Sequence, residues 1–140
     1  PPDPGPPPPP PPPVLRPEEK RLVSVGDKLN GTEVLSFTDA EKAAGAEREL
    51  SQEDIDRVFR AKQGAILSCI DTARGDALID SRVTVEFRIR RTGEVVGARL
   101  EAPAYLMNHG LNDCIRPLVM GLRFPISTRA QVVTYPFSLR

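Results

Sequence analysis

The chain has 140 residues, enough for a single domain, and its 19 basic side chains balance its 19 acidic ones. The balance hides two parts of opposite mild charge: residues 1–49 carry six basic and nine acidic side chains, and residues 50–140 carry thirteen and ten. Neither part is charged enough to indicate nucleic-acid binding. One histidine and two cysteines argue against a metal site with several such ligands.

The sequence contains no phosphate-binding loop, zinc-protease motif or serine-hydrolase motif. We therefore expect no catalytic residue, no metal and no cofactor. No apolar run reaches the roughly 18–20 residues of a membrane-spanning helix, and the N-terminus lacks the pattern of a signal peptide. Since the chain begins inside a proline tract, we expect it to be part of a longer protein whose targeting segment lies upstream.

The first 17 residues contain twelve of the 16 prolines, and Pro1–Pro13 is interrupted only by Asp3 and Gly5. Such a run lacks backbone donors and has a fixed φ, so it extends as polyproline II. At about 3.1 Å per residue it reaches roughly 40 Å. We predict a polyproline linker over residues 1–17 that acts as a semi-rigid spacer. The alternative is a ligand for an SH3- or WW-type groove.

Residues 18–50 mix charges, glycine and short apolar patches, of which Val34–Phe37 is the best candidate for a short strand. Residues 39–50 are rich in helix-forming alanine, glutamate and lysine but have almost no apolar stripe. A helix without a face to bury gains little from packing. We therefore predict a mostly disordered linker over residues 18–50.

An ordered domain is predicted over residues 51–140. It begins at Ser51–Asp54, whose sequence is similar to a helix capping box. Apolar side chains then recur at helical spacing and predict a helix over residues 52–71, followed by a loop over residues 72–80. The apolar positions of this helix are Ile55, Val58, Phe59, Ile66, Cys69 and Ile70.

Strict alternation of apolar and polar residues from Val83 to Arg90 predicts a strand with one solvated face. Thr92-Gly93 is typical of a hairpin turn, and a second strand is predicted over residues 96–100. A helix is then predicted over residues 107–122, kinked or shortened by Pro117.

The last predicted strand covers residues 131–139. Pro136 within it cannot donate a hydrogen bond, so the strand is expected at a sheet edge or with a bulge. The order helix, strand, strand, helix, strand predicts an α+β domain in which two helices pack on one face of a three-stranded antiparallel sheet.

Cys69 and Cys114 both fall on the inward stripes of the two predicted helices. A disulfide would stabilise a thin core by about 4 kcal/mol through its loop of about 45 residues, and would indicate an oxidising compartment. Two buried free thiols are an equally supported alternative. A third interpretation makes Cys114 a nucleophile with His109 as its base, but no acid is placed to orient that histidine.

Several segments in the second part of the chain form a recognisable series, namely Ile66–Cys69, Val83–Phe87, Arg91–Val95, Cys114-Ile115, Leu122–Pro125 and Val133–Phe137. In these segments and their order, residues 50–140 resemble the AgmX/PglI C-terminal domain, a TonB C-terminal-like family of deltaproteobacterial multi-domain proteins. The resemblance implies a TonB-like fold and a disulfide between Cys69 and Cys114.

The resemblance also implies a periplasmic location, with the proline-rich segment leading to an inner-membrane anchor upstream. TonB-type domains carry work from a proton-driven inner-membrane motor to outer-membrane proteins. Members of this family resemble parts of the gliding machinery of myxobacteria. The implied function is therefore non-catalytic coupling between such a motor and outer-membrane or cell-wall partners.

The last strand is the candidate coupling surface, because an edge strand accepts a partner strand by β-augmentation. The predicted partner-binding residues precede the missing donor at Pro136 and are Gln131, Val132, Val133, Thr134 and Tyr135. The alternative is an edge that is simply solvated. A different function remains open as well: a cytoplasmic scaffold that presents its proline tract to an SH3- or WW-like module.

Four arginines surround the predicted hairpin, namely Arg88, Arg90, Arg91 and Arg99. They would suit an anionic partner, but interspersed glutamates favour a solvated face. On that interpretation, reversing the charges of Arg88 and Arg90 is expected to leave the fold intact.

Overall fold

The computed structural model describes residues 2–11, 14–31 and 33–139. The prediction for the polyproline tract therefore falls partly on Pro1, Pro12 and Pro13, which lie outside the described residues. In chain order, the elements are α1 (Pro17–Lys20), β1 (Leu22–Gly26), α2 (Phe37–Ala43), α3 (Gln52–Arg74), β2 (Ser81–Ile89), β3 (Val95–Pro103), α4 (Ala104–Asn108), α5 (Leu111–Met120) and β4 (Gln131–Leu139). This is an α+β fold, as predicted.

The four strands form one antiparallel sheet in the order β1-β3-β2-β4. The alternation predicted in β2 is confirmed: its apolar residues, such as Val85 and Phe87, are buried, while Glu86 and Arg88 lie on the opposite face. Helices α3, α4 and α5 cover the buried face. The ring of Phe87 lies between Phe59 of α3 and Phe124, at centroid distances of 6.0 and 5.9 Å.

Helix α3 begins with the predicted capping box. The Ser51 hydroxyl accepts a hydrogen bond from the Asp54 amide, and the Asp54 carboxylate accepts one from the Ser51 amide, both at 3.1 Å. The helix has 23 residues and continues to Arg74, past the predicted end at residue 71. It stops at Gly75, whose φ of +56° lies outside the helical range.

The predicted hairpin turn at Thr92-Gly93 is also present. The Gly93 amide donates to the Arg90 carbonyl at 2.9 Å, and the Arg90 amide donates to the Glu94 carbonyl at 2.8 Å. Gly93 has a φ of +92°, and a Cβ at this position would lie 1.9 Å from the Phe124 carbonyl oxygen. Only glycine therefore fits this turn against the chain that follows α5.

The single helix predicted over residues 107–122 is wrong. The structure has two helices here, α4 and α5, joined through His109 and Gly110. Gly110 adopts a left-handed conformation with a φ of +85°, which interrupts the helix although the apolar spacing continues across it. Helix α5 ends at Met120, three residues after Pro117.

The prediction of three strands is also wrong, because β1 adds a fourth. Its five residues pair with β3, from Leu22 opposite Pro103 to Gly26 opposite Arg99. The segment expected to be a mostly disordered linker thus contributes α1, β1 and α2 to the structure. This strand could not be predicted from the sequence, because all five residues of Leu22–Gly26 are half-buried or exposed. The segment therefore lacks the alternation of apolar and polar residues that burial of one face produces.

After β1 the chain crosses the hairpin end of the sheet before it enters α3. We call this segment, residues 27–31 and 33–50, the strap. At its start the Asp27 carboxylate accepts hydrogen bonds from Arg116 at 2.6 Å and from the Ala98 amide at 3.1 Å. At its end Arg48 donates to the buried carboxylate of Asp54 at 2.7 Å, which holds the pKa of that carboxyl well below its usual range.

The middle of the strap is held by Arg90. Its guanidinium donates to Asp39 at 2.6 Å and lies 3.5 Å from Glu33 and 3.7 Å from Glu94. The Arg90 side chain is only 18% exposed. The hydrogen bond from Arg90 lowers the pKa of Asp39, and the same bond raises the pKa of Arg90. The expectation of a solvated Arg90 is therefore wrong: this arginine fastens the strap to the sheet.

Cys69 of α3 and Cys114 of α5 form a disulfide with an S–S distance of 2.04 Å and a Cα–Cα distance of 5.7 Å. The pairing implied by the family resemblance is thus present. The bond joins the two longest helices on the covered face of the sheet. Cys114 therefore carries no thiol that His109 could activate, and the Nδ1 atom of His109 instead lies 2.7 Å from the Tyr105 carbonyl oxygen.

We expect Arg90→Glu to lower the free energy of unfolding by roughly 1–3 kcal/mol, because it removes the partner of the poorly solvated carboxylates of Glu33 and Asp39 and adds a fourth negative charge beside them and Glu94. Arg88→Glu, two residues away on the same face, is the matched control and should change it by less than about 0.5 kcal/mol. Chemical denaturation measures both. Equal effects of the two substitutions would contradict the role assigned to Arg90.

Reduction of the Cys69–Cys114 disulfide should lower the melting temperature, since the bond closes a span of 45 residues. The expected decrease in the free energy of unfolding is at most about 4 kcal/mol. The Cys69→Ser/Cys114→Ser double variant should melt where the reduced protein melts and should not respond to reductant. A fully reduced protein with an unchanged melting temperature would show that the bond does not stabilise the fold.

Candidate functional site: the open edge of β4

Strand β4 lies at one edge of the sheet, which is one of the two arrangements that Pro136 predicted. It pairs with β2 along its whole length, from Ser81 opposite Leu139 to Ile89 opposite Gln131. Within the described part of the chain, no strand pairs with its other side. The structure therefore presents a nine-residue edge whose outward backbone groups are available to a partner.

The register of the sheet determines which backbone groups of β4 face outward. Ala98 of β3 exchanges hydrogen bonds with Asp27, so its amide and carbonyl point away from β2. Successive residues of a strand direct these groups to opposite sides. The next residue, Arg99, therefore faces β2 and bonds with its partner Glu86.

The same alternation continues across β2. Since Glu86 faces β3, its neighbours Val85 and Phe87 face β4, where they lie opposite Tyr135 and Val133. The odd-numbered residues of β4 thus use their backbone groups to bond β2. The groups that point to the open side belong to Val132, Thr134, Pro136 and Ser138.

Pro136 therefore stands at a position where an amide would have no partner within the sheet. The open edge offers four carbonyls but only three amides, with a gap between Thr134 and Ser138. A proline at such a position limits uncontrolled edge-to-edge pairing without weakening the bond to β2. Pairing by a partner strand is consequently favoured at the beginning of β4.

The five predicted partner-binding residues divide into two groups. Val132 and Thr134 are exposed and direct their backbone groups outward. The backbones of Gln131, Val133 and Tyr135 are engaged with β2. The side chain of Gln131 also donates to the Leu50 carbonyl at 3.1 Å, and Val133 lies in the core.

A groove of about 200 Å³ runs beside the open edge, between β4 and the first half of α3. Its floor is the ring of Tyr135, stacked on Phe59 with a centroid distance of 3.8 Å and an interplanar angle of 2°. Its rim includes Asp56, Arg60 and Gln63. A side chain of a strand added to β4 on the helix side would enter this groove.

The Tyr135 hydroxyl fastens β4 to α3 by donating to Asp56 at 2.5 Å, and Gln52 donates to the same carboxylate oxygen at 2.7 Å. Burial, followed by the bond to Asp56, raises the pKa of Tyr135. The bond from Tyr135 lowers the pKa of Asp56. At neutral pH the pair therefore remains a phenol and a carboxylate, which serves to position the strand.

Sequence reasoning did not find the groove residues of α3. Asp56, Arg60 and Gln63 lie on the polar side of a helix, and nothing in their spacing shows which strand they will approach. The scarcity of aromatic residues is the signal in the sequence that points to this groove, because Phe59 and Tyr135 are two of only seven Phe and Tyr residues. Their stacking is a tertiary contact between residues far apart in sequence.

The opposite edge of the sheet is formed by β1 and is shorter. Ala98 directs its backbone groups towards the β1 side, and Leu100, two residues later, does the same and lies opposite Val25 of β1. The backbone groups of Val25 therefore bond β3, and those of its neighbour Ser24 point outward. This edge has five residues against nine in β4. It provides a second, independent edge against which the behaviour of β4 can be compared.

Comparison with protein-family models, curated proteins and solved structures finds no match for this chain. The relationship to the TonB C-terminal-like family remains a prediction from the sequence segments. Among the described residues, no helix is long and apolar enough to cross a membrane, and no group of three or more His, Cys, Asp or Glu side chains is placed to hold a metal ion.

We expect Pro136→Ala to increase self-association, because it adds an outward amide and closes the gap in the open edge. Sedimentation velocity over a concentration series measures this change. Pro125→Ala, at an exposed proline outside the sheet, is the matched control and should sediment as the wild type does. Identical sedimentation of all three proteins would argue against an outward amide at this position.

Proposed function

We propose that this chain is a non-catalytic coupling module of the periplasm, which pairs a strand of an outer-membrane or cell-wall partner with the open edge of β4. Through its upstream segments it would connect that partner to a proton-driven motor in the inner membrane, in a system such as gliding motility. The single observation that carries the proposal is the nine-residue edge of β4, with the outward amides of Val132 and Thr134 at its beginning.

The attachment of β4 to the rest of the domain suits a connection that bears load. Nine residue pairs join it to β2, and Tyr135 joins it to α3 through a stacked ring and a hydrogen bond. A force along the strand direction would be shared among several parallel hydrogen bonds. The Cys69–Cys114 bond holds α3 against α5 under the same force.

The disulfide supports the proposed location. Structural disulfides persist in oxidising compartments such as the periplasm and are rare in the cytosol. The proline tract fits the same location, because residues 2–11 are exposed throughout and an extended spacer carries a domain away from its anchor.

The exposure of residues 2–11 also favours the second candidate, a scaffold that presents its proline tract to an SH3- or WW-like module. The two candidates differ in which part of the chain binds. Partner binding by the scaffold would survive deletion of residues 50–140, whereas coupling through β4 would not.

The proposal is tested by photo-crosslinking in the native cell, with a photoreactive residue at Thr134 of the full-length protein. We expect an adduct with an envelope protein. Val132→Pro should reduce the adduct by roughly tenfold, since one lost hydrogen bond of about 1.4 kcal/mol corresponds to that factor.

Ser24→Pro is the matched control, because it removes an outward amide from the other edge of the sheet. It should leave the adduct unchanged, and both variants should keep the circular dichroism spectrum of the wild type. Equal loss in the two variants, or adducts with cytoplasmic proteins alone, would refute the proposed function.

A further inference from the structure

A cavity of about 460 Å³ lies where the strap passes the beginning of β4. Its walls carry two arginines, Arg88 and Arg129, together with the carboxylate of Glu49. Arg129 lies 3.4 Å from Glu49, so this acid is already paired. The cavity therefore has one positive charge in excess, on Arg88.

Arg88 is half-buried on the face of β2 that points away from the helices. Within the described part of the chain, its guanidinium takes part in no hydrogen bond and no ion pair. Its Nη1 atom reaches the strap, since a Cβ on Gly31 would lie 3.9 Å from it. Arg90, two residues further along the chain and just beyond the end of β2, is surrounded by three acids. A guanidinium that is partly desolvated and unpaired favours binding of an anionic group.

The cavity is continuous with the open edge. Its wall includes Val132, the first residue of β4 with outward backbone groups, whose side chain is 51% exposed. Val132 lies directly opposite Arg88 in the sheet. A strand added to β4 would therefore place a residue in line with Arg88 and Val132, on the same face of the sheet.

The distance between Arg88 and a residue added opposite Val132 suits an acidic side chain. Neighbouring strands are about 4.8 Å apart, so Arg88 and the added residue would have backbones about 10 Å apart. An arginine and a glutamate side chain together span this distance above the intervening valine. A bidentate contact between guanidinium and carboxylate would then complete the pairing.

We propose that the cavity formed by Arg88 and Arg129 receives a carboxylate from the strand that pairs with β4, so that the partner segment carries an acidic residue opposite Val132. This inference rests on the proposed strand pairing and specifies the chemistry of the partner. The backbone of β4 supplies affinity, and the arginine cavity selects the sequence and the register.

The test uses two extended probe peptides, acetyl-Lys-Thr-Val-Glu-Val-Thr-Lys-amide and its counterpart with glutamine in place of glutamate. Each is titrated to millimolar concentration into the isotope-labelled chain at low ionic strength, and amide shifts are followed by NMR. We expect the glutamate peptide to bind roughly five- to tenfold more tightly, a difference of about 1–1.4 kcal/mol. It should perturb the Val132 amide and the Arg88 side chain.

Arg88→Gln should abolish the preference for glutamate while both peptides still perturb β4. Arg82→Gln is the matched control, because Arg82 lies on the same face of β2 at its other end and should leave the preference intact. Should Arg88→Gln alter the melting temperature, Arg129→Gln, at an exposed side chain, provides the second variant and should weaken the preference.

The other possible results of the titration would each contradict the inference. Equal affinities of the two peptides, with shifts along β4, would overturn the carboxylate site and leave strand pairing intact. No shift along β4 with either peptide would overturn strand pairing and this inference with it. If N-acetylglutamate alone binds as tightly as the glutamate peptide, the cavity is a site for a free anion and its assignment to a strand is wrong.

Discussion

The alternation of backbone direction in β2 is the constraint on which the rest of the structure depends. Each residue of this central strand bonds either β3 or β4, so the pairing of Glu86 with Arg99 decides which groups of β4 remain open. Pro136 stands at an outward position, where its missing amide costs the sheet nothing. The edge is thereby open at Val132 and Thr134 and limited towards its end, which allows a specific partner and discourages random pairing.

Such an edge is useful only if the strand behind it is held firmly. Two contacts do this: Tyr135 stacks on Phe59 and donates to Asp56, and the disulfide joins α3 to α5. They complement each other, because the first attaches the strand to a helix and the second attaches that helix to its neighbour. The strand that carries the open edge is thus attached to α3, and through α3 to α5.

Arg88 of β2 and Arg90, just beyond the end of this strand, differ in their contacts with the strap. Arg90 meets three acids, two of which the strap supplies, and fastens the strap over the hairpin. Arg88 approaches the strap at Gly31, which provides no acid, and it lines a cavity beside the open edge. The difference arises because Glu33 and Asp39 of the strap reach Arg90, whereas Glu49, the strap acid that lines the cavity beside Arg88, pairs with Arg129.

The sequence alone determined those elements whose signal is local. The capping box at Ser51, the alternation through Phe87 and the turn at Gly93 each depend on neighbouring residues, and Pro136 by itself limits its strand to an edge or a bulge. Strand β1, the partners of Arg90 and the groove beside Tyr135 were decided by the tertiary structure alone. These features depend on which distant segments meet, and a short exposed strand or an arginine leaves no periodic pattern that records its partner.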